Sequence, residues 1–99
     1  MKIEFLKNGT TLIVKPEGRL DSVNSPDADA QIRTEAEGIT ELILDLEHVD
    51  YVSSGGLRVI LAWQQEMDDR GGTMKVLHVS EFIKNIFDLT GFLEFLVIE

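Results

Sequence analysis

The 99-residue sequence contains no cysteine, and its longest uninterrupted apolar run is VILAW, from Val59 to Trp63. Without cysteine the chain forms neither a disulfide framework nor a thiolate metal site, which fits a reducing compartment. An apolar run this short cannot span a bilayer, and the opening stretch MKIEFLKNGT lacks the apolar centre of a signal peptide. The sequence therefore predicts a cytoplasmic protein without a membrane segment.

Basic residues are scarce, because 9 lysines and arginines stand against 18 aspartates and glutamates, for a formal net charge of −9. Nucleic acids and anionic lipids are bound through basic patches and counterion release. A strongly acidic chain is poorly suited to either, and its charge mainly keeps it soluble. We therefore expect no nucleic-acid partner and no membrane partner.

The first third of the chain predicts a hairpin followed by a helix. Two β-rich runs, IEFLK and TLIVKPEG, flank Asn8 and Gly9, a pair suited to a two-residue turn. Ser25 before Pro26 predicts a helix start with Ser25 as the cap, and Gly38 lies just beyond the expected end. The inward face of this helix is expected to contain Ala28, Ile32 and Ala36.

The rest of the chain predicts a strand, a helix, a strand and a further helix. The stretch ELILDL, residues 41 to 46, is typical of a central strand covered on both faces. Helical spacing then runs from Gly55 to about Asp69, and MKVLHV predicts a parallel strand reached by a right-handed crossover. Ser80 is expected to cap the last helix, whose apolar face would contain Phe82, Ile83, Ile86 and Phe87, before a final apolar segment, FLVI. The expected fold is a single α/β domain, residues 1 to 99, with a small mixed β-sheet flanked by helices.

The segment DYVSSGGLRVIL, residues 50 to 61, contains the candidate site. In open α/β sheets, ligands and partners meet the loops beyond the carboxyl ends of parallel strands, and this segment is such a loop. Glycine costs about 1 kcal/mol relative to alanine inside a helix, so Gly55 and Gly56 need a reason. We interpret them as leaving space around an exposed Ser54 for another protein's backbone. The alternative is that Ser54 is a plain N-cap and the glycines permit a tight helix entry.

Catalytic chemistry has weak support at this loop. A nucleophile elbow around Ser54 would need glycine in place of Val52, and the base of a triad would be His78, which lies in a predicted strand. We therefore expect a protein that is not an enzyme.

Ligand chemistry is also weakly supported. A phosphate-binding loop would have lysine after its last glycine, where this chain has Leu57. His48 with Asp50 or Glu47 matches no metal-ligand spacing. We therefore expect no metal and no cofactor.

The order of the motifs GRLD, LILDL, VDYVSSGGLRVIL, GGTMKVLHV and IFDLTGF resembles the STAS domain of bacterial anti-sigma factor antagonists. The resemblance covers nearly the whole chain and is strongest from Leu42 to Leu61, with FDLTG as a second match. It implies a small sheet flanked by helices, in agreement with the fold expected from the residue patterns.

The resemblance also implies a modification site. In that family the serine two residues before the Gly-Leu pair is phosphorylated, and counting back from Gly56 and Leu57 identifies Ser54. Ser53 is the alternative acceptor, because it provides a second hydroxyl at a position where family members often have aspartate. The leucine-aspartate pair of the first loop, here Leu20 and Asp21, is expected beside Ser54, with a turn or cap role as the other possibility for Asp21. The implied partner-binding residues are Asp21, Ser53, Ser54, Gly55, Gly56, Leu57 and Arg58.

The implied function is partner switching. The unmodified protein would bind an anti-sigma factor that is itself a serine kinase of the histidine-kinase-like ATPase type, and the sigma factor would be released. Phosphorylation would add about −1.5 to −2 charge at Ser54 and end that binding, and a metal-dependent serine phosphatase would reverse it. The alternatives are a constitutive STAS scaffold and a small-ligand-sensing subunit of a signalling or lipid-transport complex.

Overall fold

The computed structural model describes residues 1–99 as two sheets, three α-helices and a short C-terminal 3₁₀ turn. The strands are β1 (Ile3–Asn8), β2 (Thr11–Pro16), β3 (Gly18–Leu20), β4 (Glu41–Asp45), β5 (Val49–Val52) and β6 (Thr73–Leu77). The helices are α1 (Ser25–Glu35), α2 (Ser54–Asp69) and α3 (Glu81–Leu89), and the 3₁₀ turn covers Phe92–Glu94. None of the helices combines the length and the apolar character needed to cross a membrane.

The larger sheet has the strand order β1-β2-β4-β6. β1 and β2 pair antiparallel as the predicted hairpin, whereas β2 with β4 and β4 with β6 pair parallel. The sheet is therefore mixed, and β4-α2-β6 is the predicted parallel crossover. The hairpin turn is shifted by one residue from the prediction, because Asn8 pairs with Thr11 inside the ladder and leaves Gly9 and Thr10 as the loop.

The smaller sheet was not predicted. β3 and β5 pair parallel, with a register irregularity between Gly18 and Arg19. Strands of this length are too short to show an alternating pattern, so the sequence assigned both to loops. The amide of Ser53 continues the pairing by donating to the Leu20 carbonyl at 3.0 Å. This places the end of β5 directly beside the end of β3.

The core lies between one face of the larger sheet and the helices α1 and α2. Leu42 and Leu44 of β4 are buried, while Ile43 between them is half-buried. The prediction that both faces of this strand are covered is therefore only partly correct. Trp63 of α2 is buried, and its Nε1 donates to Asp29 Oδ1 of α1 at 2.8 Å. Other buried residues of this core are Leu12, Val14, Ala28, Ile32, Leu57, Ile60, Met67, Met74 and Val76.

The start of α1 differs from the prediction by one residue. Ser25 is the first helical residue and Asn24 occupies the N-cap position without a capping side-chain bond. The Ser25 hydroxyl donates instead to the Asp21 carbonyl oxygen. The buried face is as predicted, since Ala28, Ile32 and Ala36 are all inaccessible to solvent or nearly so.

The start of α3 is as predicted, because the Ser80 hydroxyl accepts a hydrogen bond from the Ile83 amide at 3.2 Å. Ile83 and Phe87 are fully buried, but Phe82 is 57% exposed and its ring lies 6.2 Å from that of Tyr51. The final apolar segment, FLVI, joins the larger sheet only through a single parallel bridge between Val76 and Ile98.

A buried carboxylate lies where β4 and β6 end. Asp45 is 7% exposed, and its Oδ1 accepts from the Glu47 amide at 3.0 Å and lies 2.9 Å from His78 Nδ1. Burial raises the pKa of Asp45, but the hydrogen bonds from His78 and the Glu47 amide outweigh it, so the pKa lies below its usual value. The positive charge of Lys15, whose Nζ lies 3.9 Å from Oδ2, also lowers the pKa of Asp45.

We predict that Asp45 contributes to acid unfolding. Its pKa is lower in the folded than in the unfolded chain, so its contribution to stability is complete above the unfolded value of about 3.9 and is lost as pH falls through the folded value. Urea unfolding between neutral pH and strongly acidic pH measures this. Asp45→Asn should give a flatter loss of unfolding free energy below about pH 4 than the wild-type protein. Identical acid limbs for the two proteins would contradict the prediction.

Candidate functional site

The candidate site is the junction between β5 and α2, beside the loop from β3 to α1. The Leu57 amide donates to the Ser53 carbonyl at 2.9 Å, which is the first hydrogen bond of α2. Ser53 is therefore the N-cap residue, with φ −91° and ψ 179°, and Ser54 is the first helical residue. The interpretation of Ser54 as an N-cap is wrong by one position, because β5 extends as far as Val52 and Ser53 continues its extended backbone.

The two serines have different environments. Ser54 is exposed. The hydroxyl oxygen of Ser53 is buried and has no hydrogen-bond partner, and it makes no capping bond to the helix. A protein that approaches this surface therefore meets the hydroxyl of Ser54 and not that of Ser53.

The glycines are explained by contacts within the chain. A Cβ on Gly56 would lie 2.2 Å from the Leu20 carbonyl oxygen and 3.0 Å from its carbon. A Cβ on Gly55 would lie 2.7 Å from Ser22 Oγ and 2.9 Å from Ser22 Cα. Neither glycine has positive φ, so close approach is the constraint. Our interpretation that Gly55 and Gly56 leave space for another protein is therefore corrected: the space is filled by the end of β3 and by the β3–α1 loop of the same chain.

Asp21 holds this loop in place. Its Oδ1 accepts hydrogen bonds from the Val23 and Asn24 amides, each at 3.0 Å, and Arg19 Nε lies 3.5 Å from Oδ2. The Asn24 amide is the main cause of a lowered pKa of Asp21, and together with the Val23 amide and Arg19 it outweighs the opposing effect of desolvation. The carboxylate of Asp21 thus fixes the turn that presses Ser22 against Gly55.

The residues predicted for partner binding do not all reach the surface. Ser54 and Arg58 are exposed, whereas Gly56 is buried and Leu57 is 3% exposed within the core. Gly56 and Leu57 therefore support the surface from below. Sequence reasoning missed Val23, which is 85% exposed on the loop beside Ser22. Its signal was a single apolar residue in the polar stretch DSVNS.

The side chains considered for other chemistry are not assembled around Ser54. His78 is hydrogen-bonded to Asp45, not to either serine. His48 Nε2 lies 3.3 Å from the neighbouring Glu47 carboxylate on an exposed loop. No group of three or more histidine, aspartate or glutamate side chains is arranged to hold a metal ion. The chemical feature that the site offers is an exposed hydroxyl at the positive end of a helix.

The chain belongs to the STAS domain family, whose model matches residues 2–99. It is similar to BtrV of Bordetella bronchiseptica, a candidate anti-sigma factor antagonist, with 29% identity over 94 residues, 94% of this chain and 81% of BtrV. It is also similar to the anti-sigma-B factor antagonist of Bacillus subtilis, with 26% identity over 91 residues, 92% of this chain and 84% of that protein.

Solved structures share the fold. A candidate anti-sigma factor antagonist of Thermotoga maritima superposes with a TM-score of 0.90 at 19% identity, covering 97% of this chain and 84% of that one. The Bacillus anti-sigma factor antagonist SpoIIAA gives 0.77 at 18% identity in its unphosphorylated form, covering 99% and 87% of the two chains. Its phosphorylated form gives 0.76 at 19% identity, covering 99% and 91%. The predicted α/β fold with a small mixed sheet flanked by helices is confirmed.

We predict that Gly56→Ala destabilises the protein by about 1–3 kcal/mol, because the added methyl group collides with the backbone of Leu20. Helix propensity alone would predict the opposite sign, a gain of about 1 kcal/mol. Urea unfolding of Gly56→Ala and of Ser54→Ala as the control separates the two effects, since Ser54 is exposed in the same helical turn. A stabilised Gly56→Ala protein would contradict the close contact.

Proposed function

We propose that this STAS protein is an anti-sigma factor antagonist whose binding is switched by phosphorylation of Ser54. The observation that carries the proposal is the exposed Ser54 hydroxyl at the first position of α2, next to a Ser53 hydroxyl that is buried. The similarity to anti-sigma factor antagonists over more than nine-tenths of the chain supports the same role. SpoIIAA, which shares the fold of this chain, has structures in both a phosphorylated and an unphosphorylated form.

In the unmodified state the protein docks on its anti-sigma factor through the exposed residues around the start of α2. Ser22, Val23, Ser54 and Arg58 form this proposed docking surface, with Asp21 holding the loop behind it. The surface combines an apolar side chain, hydroxyl groups and one cation, and it contains no uncompensated carboxylate. Docking makes the anti-sigma factor release its sigma factor.

The partner we propose is also a serine kinase, of the histidine-kinase-like ATPase type. The Ser54 oxygen attacks the γ-phosphorus of ATP, a new O–P bond forms, the bond to ADP breaks, and the hydroxyl proton passes to a base of the kinase. This chain supplies only the acceptor hydroxyl, so it acts as a binding module and substrate, not as an enzyme. A metal-dependent serine phosphatase hydrolyses the phosphate and resets the switch in the cytoplasm.

The fold tolerates the phosphate because it lies at a helix N-terminus. α2 has no acidic residue in its first turn, so the positive end of its dipole is not yet compensated. A negative group there is stabilised by about 0.3–1 kcal/mol. The same charge, about −1.5 to −2, must be desolvated when the partner covers it. Phosphorylation therefore weakens binding without unfolding the domain.

We predict that incubation with the cognate kinase and ATP adds one phosphate to the wild-type protein and none to Ser54→Ala. Ser53→Ala should still accept the phosphate, because the Ser53 hydroxyl is buried and makes no hydrogen bond that the fold needs. Intact-protein mass spectrometry measures both variants. If Ser53→Ala loses the phosphate and Ser54→Ala keeps it, the acceptor is Ser53 and the prediction is wrong.

We predict that Ser54→Asp binds the anti-sigma factor at least about tenfold more weakly than the wild-type protein, a difference of about 1.4 kcal/mol. Its melting temperature should hardly change, because an acidic residue in the first turn suits the helix dipole. Ser54→Asn is the neutral control of nearly equal size and should keep most of the affinity. Equal binding of all three proteins in calorimetry would favour a constitutive scaffold over a switch.

A further inference from the structure

Arg58 is a basic side chain without a partner. Most of the other lysines and arginines are engaged by carboxylates or backbone carbonyls, such as Arg19 with Asp21 and Arg70 with Glu66. Arg58 and Lys84 make neither an ion pair nor a side-chain hydrogen bond, although the chain carries 18 acidic residues. In so acidic a protein, an unpaired cation is free to bind an anion that is added to the surface.

The surroundings of Arg58 do not provide one. Arg58 lines an open groove between α1 and α2, where Asp29 is the only acidic residue. The Asp29 carboxylate already accepts from Trp63 Nε1 at 2.8 Å and lies 3.6 Å from Arg33 Nη2. Asp29 Oδ1 therefore already has one hydrogen-bond donor and one cation beside it, and Arg58 forms no ion pair with this carboxylate.

The position of Arg58 along the helix directs it towards Ser54. The two residues are four apart in α2, and residues at this spacing are neighbours on a helix surface, with Cβ atoms about 5–6 Å apart. Helical side chains lean towards the N-terminus of their helix, so the long side chain of Arg58 can reach the turn that contains Ser54. Both residues are exposed, and no acidic residue of the first turn competes for the guanidinium.

We propose that Arg58 is the internal counter-ion of a phosphate on Ser54, an inference that deepens the proposed function and rests on it. The guanidinium fork matches the oxygens of a phosphate and can donate two parallel hydrogen bonds to them. Phosphorylation then changes two groups of the docking surface at once. The Ser54 hydroxyl becomes a dianion, and the free cation of Arg58 is withdrawn from any carboxylate of the partner.

The test uses protein in which phosphoserine is incorporated at position 54 during translation, so that no kinase is needed. Phosphorus NMR follows the second pKa of the phosphate in the wild-type protein and in three variants. Arg58→Gln should raise this pKa by about half a unit, which is the size expected for one exposed ion pair. Arg58→Lys should give a smaller rise, because the charge is kept and the fork is lost.

Lys84→Gln is the matched control, because it removes an equally unpaired positive charge from α3 and should leave the phosphate pKa unchanged. The proposal would be overturned if Arg58→Gln left the second pKa of the phosphate unchanged. It would also be overturned if Arg58→Gln and Lys84→Gln raised that pKa equally. Proton–nitrogen spectra of each variant verify that the fold is intact. Failure of a kinase to modify Ser54 would refute the proposed function but would leave this measurement of the Arg58–phosphate pair unaffected.

Discussion

The close contact between the first turn of α2 and the β3–α1 loop is the constraint on which the site depends. Positions 55 and 56 require glycine because Ser22 and the Leu20 carbonyl occupy the space that a Cβ atom would need. The contact fixes where α2 begins, and this start buries the hydroxyl of Ser53 and exposes that of Ser54. Backbone packing therefore leaves Ser54, and not Ser53, accessible for the phosphorylation that we propose.

Charge explains why such a serine suits a switch in an acidic protein. With a formal net charge of −9, a further negative group would be repelled on most of the surface. The start of α2 is an exception, because its amides and its dipole favour an anion there and, in our proposal, the unpaired guanidinium of Arg58 does so as well. The site can therefore hold a phosphate in the free protein, while a bound partner would have to desolvate that phosphate. A difference of this kind changes affinity and leaves folding intact.

The sequence predicted the elements that are long or chemically marked. The β4 strand, the α2 helix and the Ser80 cap each have a pattern or capping residue that local physics explains. The β3–β5 pair was missed because its strands are too short for a pattern. The reason for Gly55 and Gly56 was missed because it depends on Leu20 and Ser22, whose contact with α2 exists only in the folded chain. The register of Ser53 and Ser54 was missed for the same reason, since the pairing of Ser53 with Leu20 sets it.

The most direct test of this account compares the affinity of the anti-sigma factor for the unmodified protein and for the protein phosphorylated at Ser54, with amide hydrogen exchange of α2 measured on both. We expect phosphorylation to weaken binding by at least about tenfold, or 1.4 kcal/mol, while the amides of α2 keep their protection. Unchanged affinity would contradict the switch. Loss of protection across α2 would show instead that the phosphate acts by unfolding the helix.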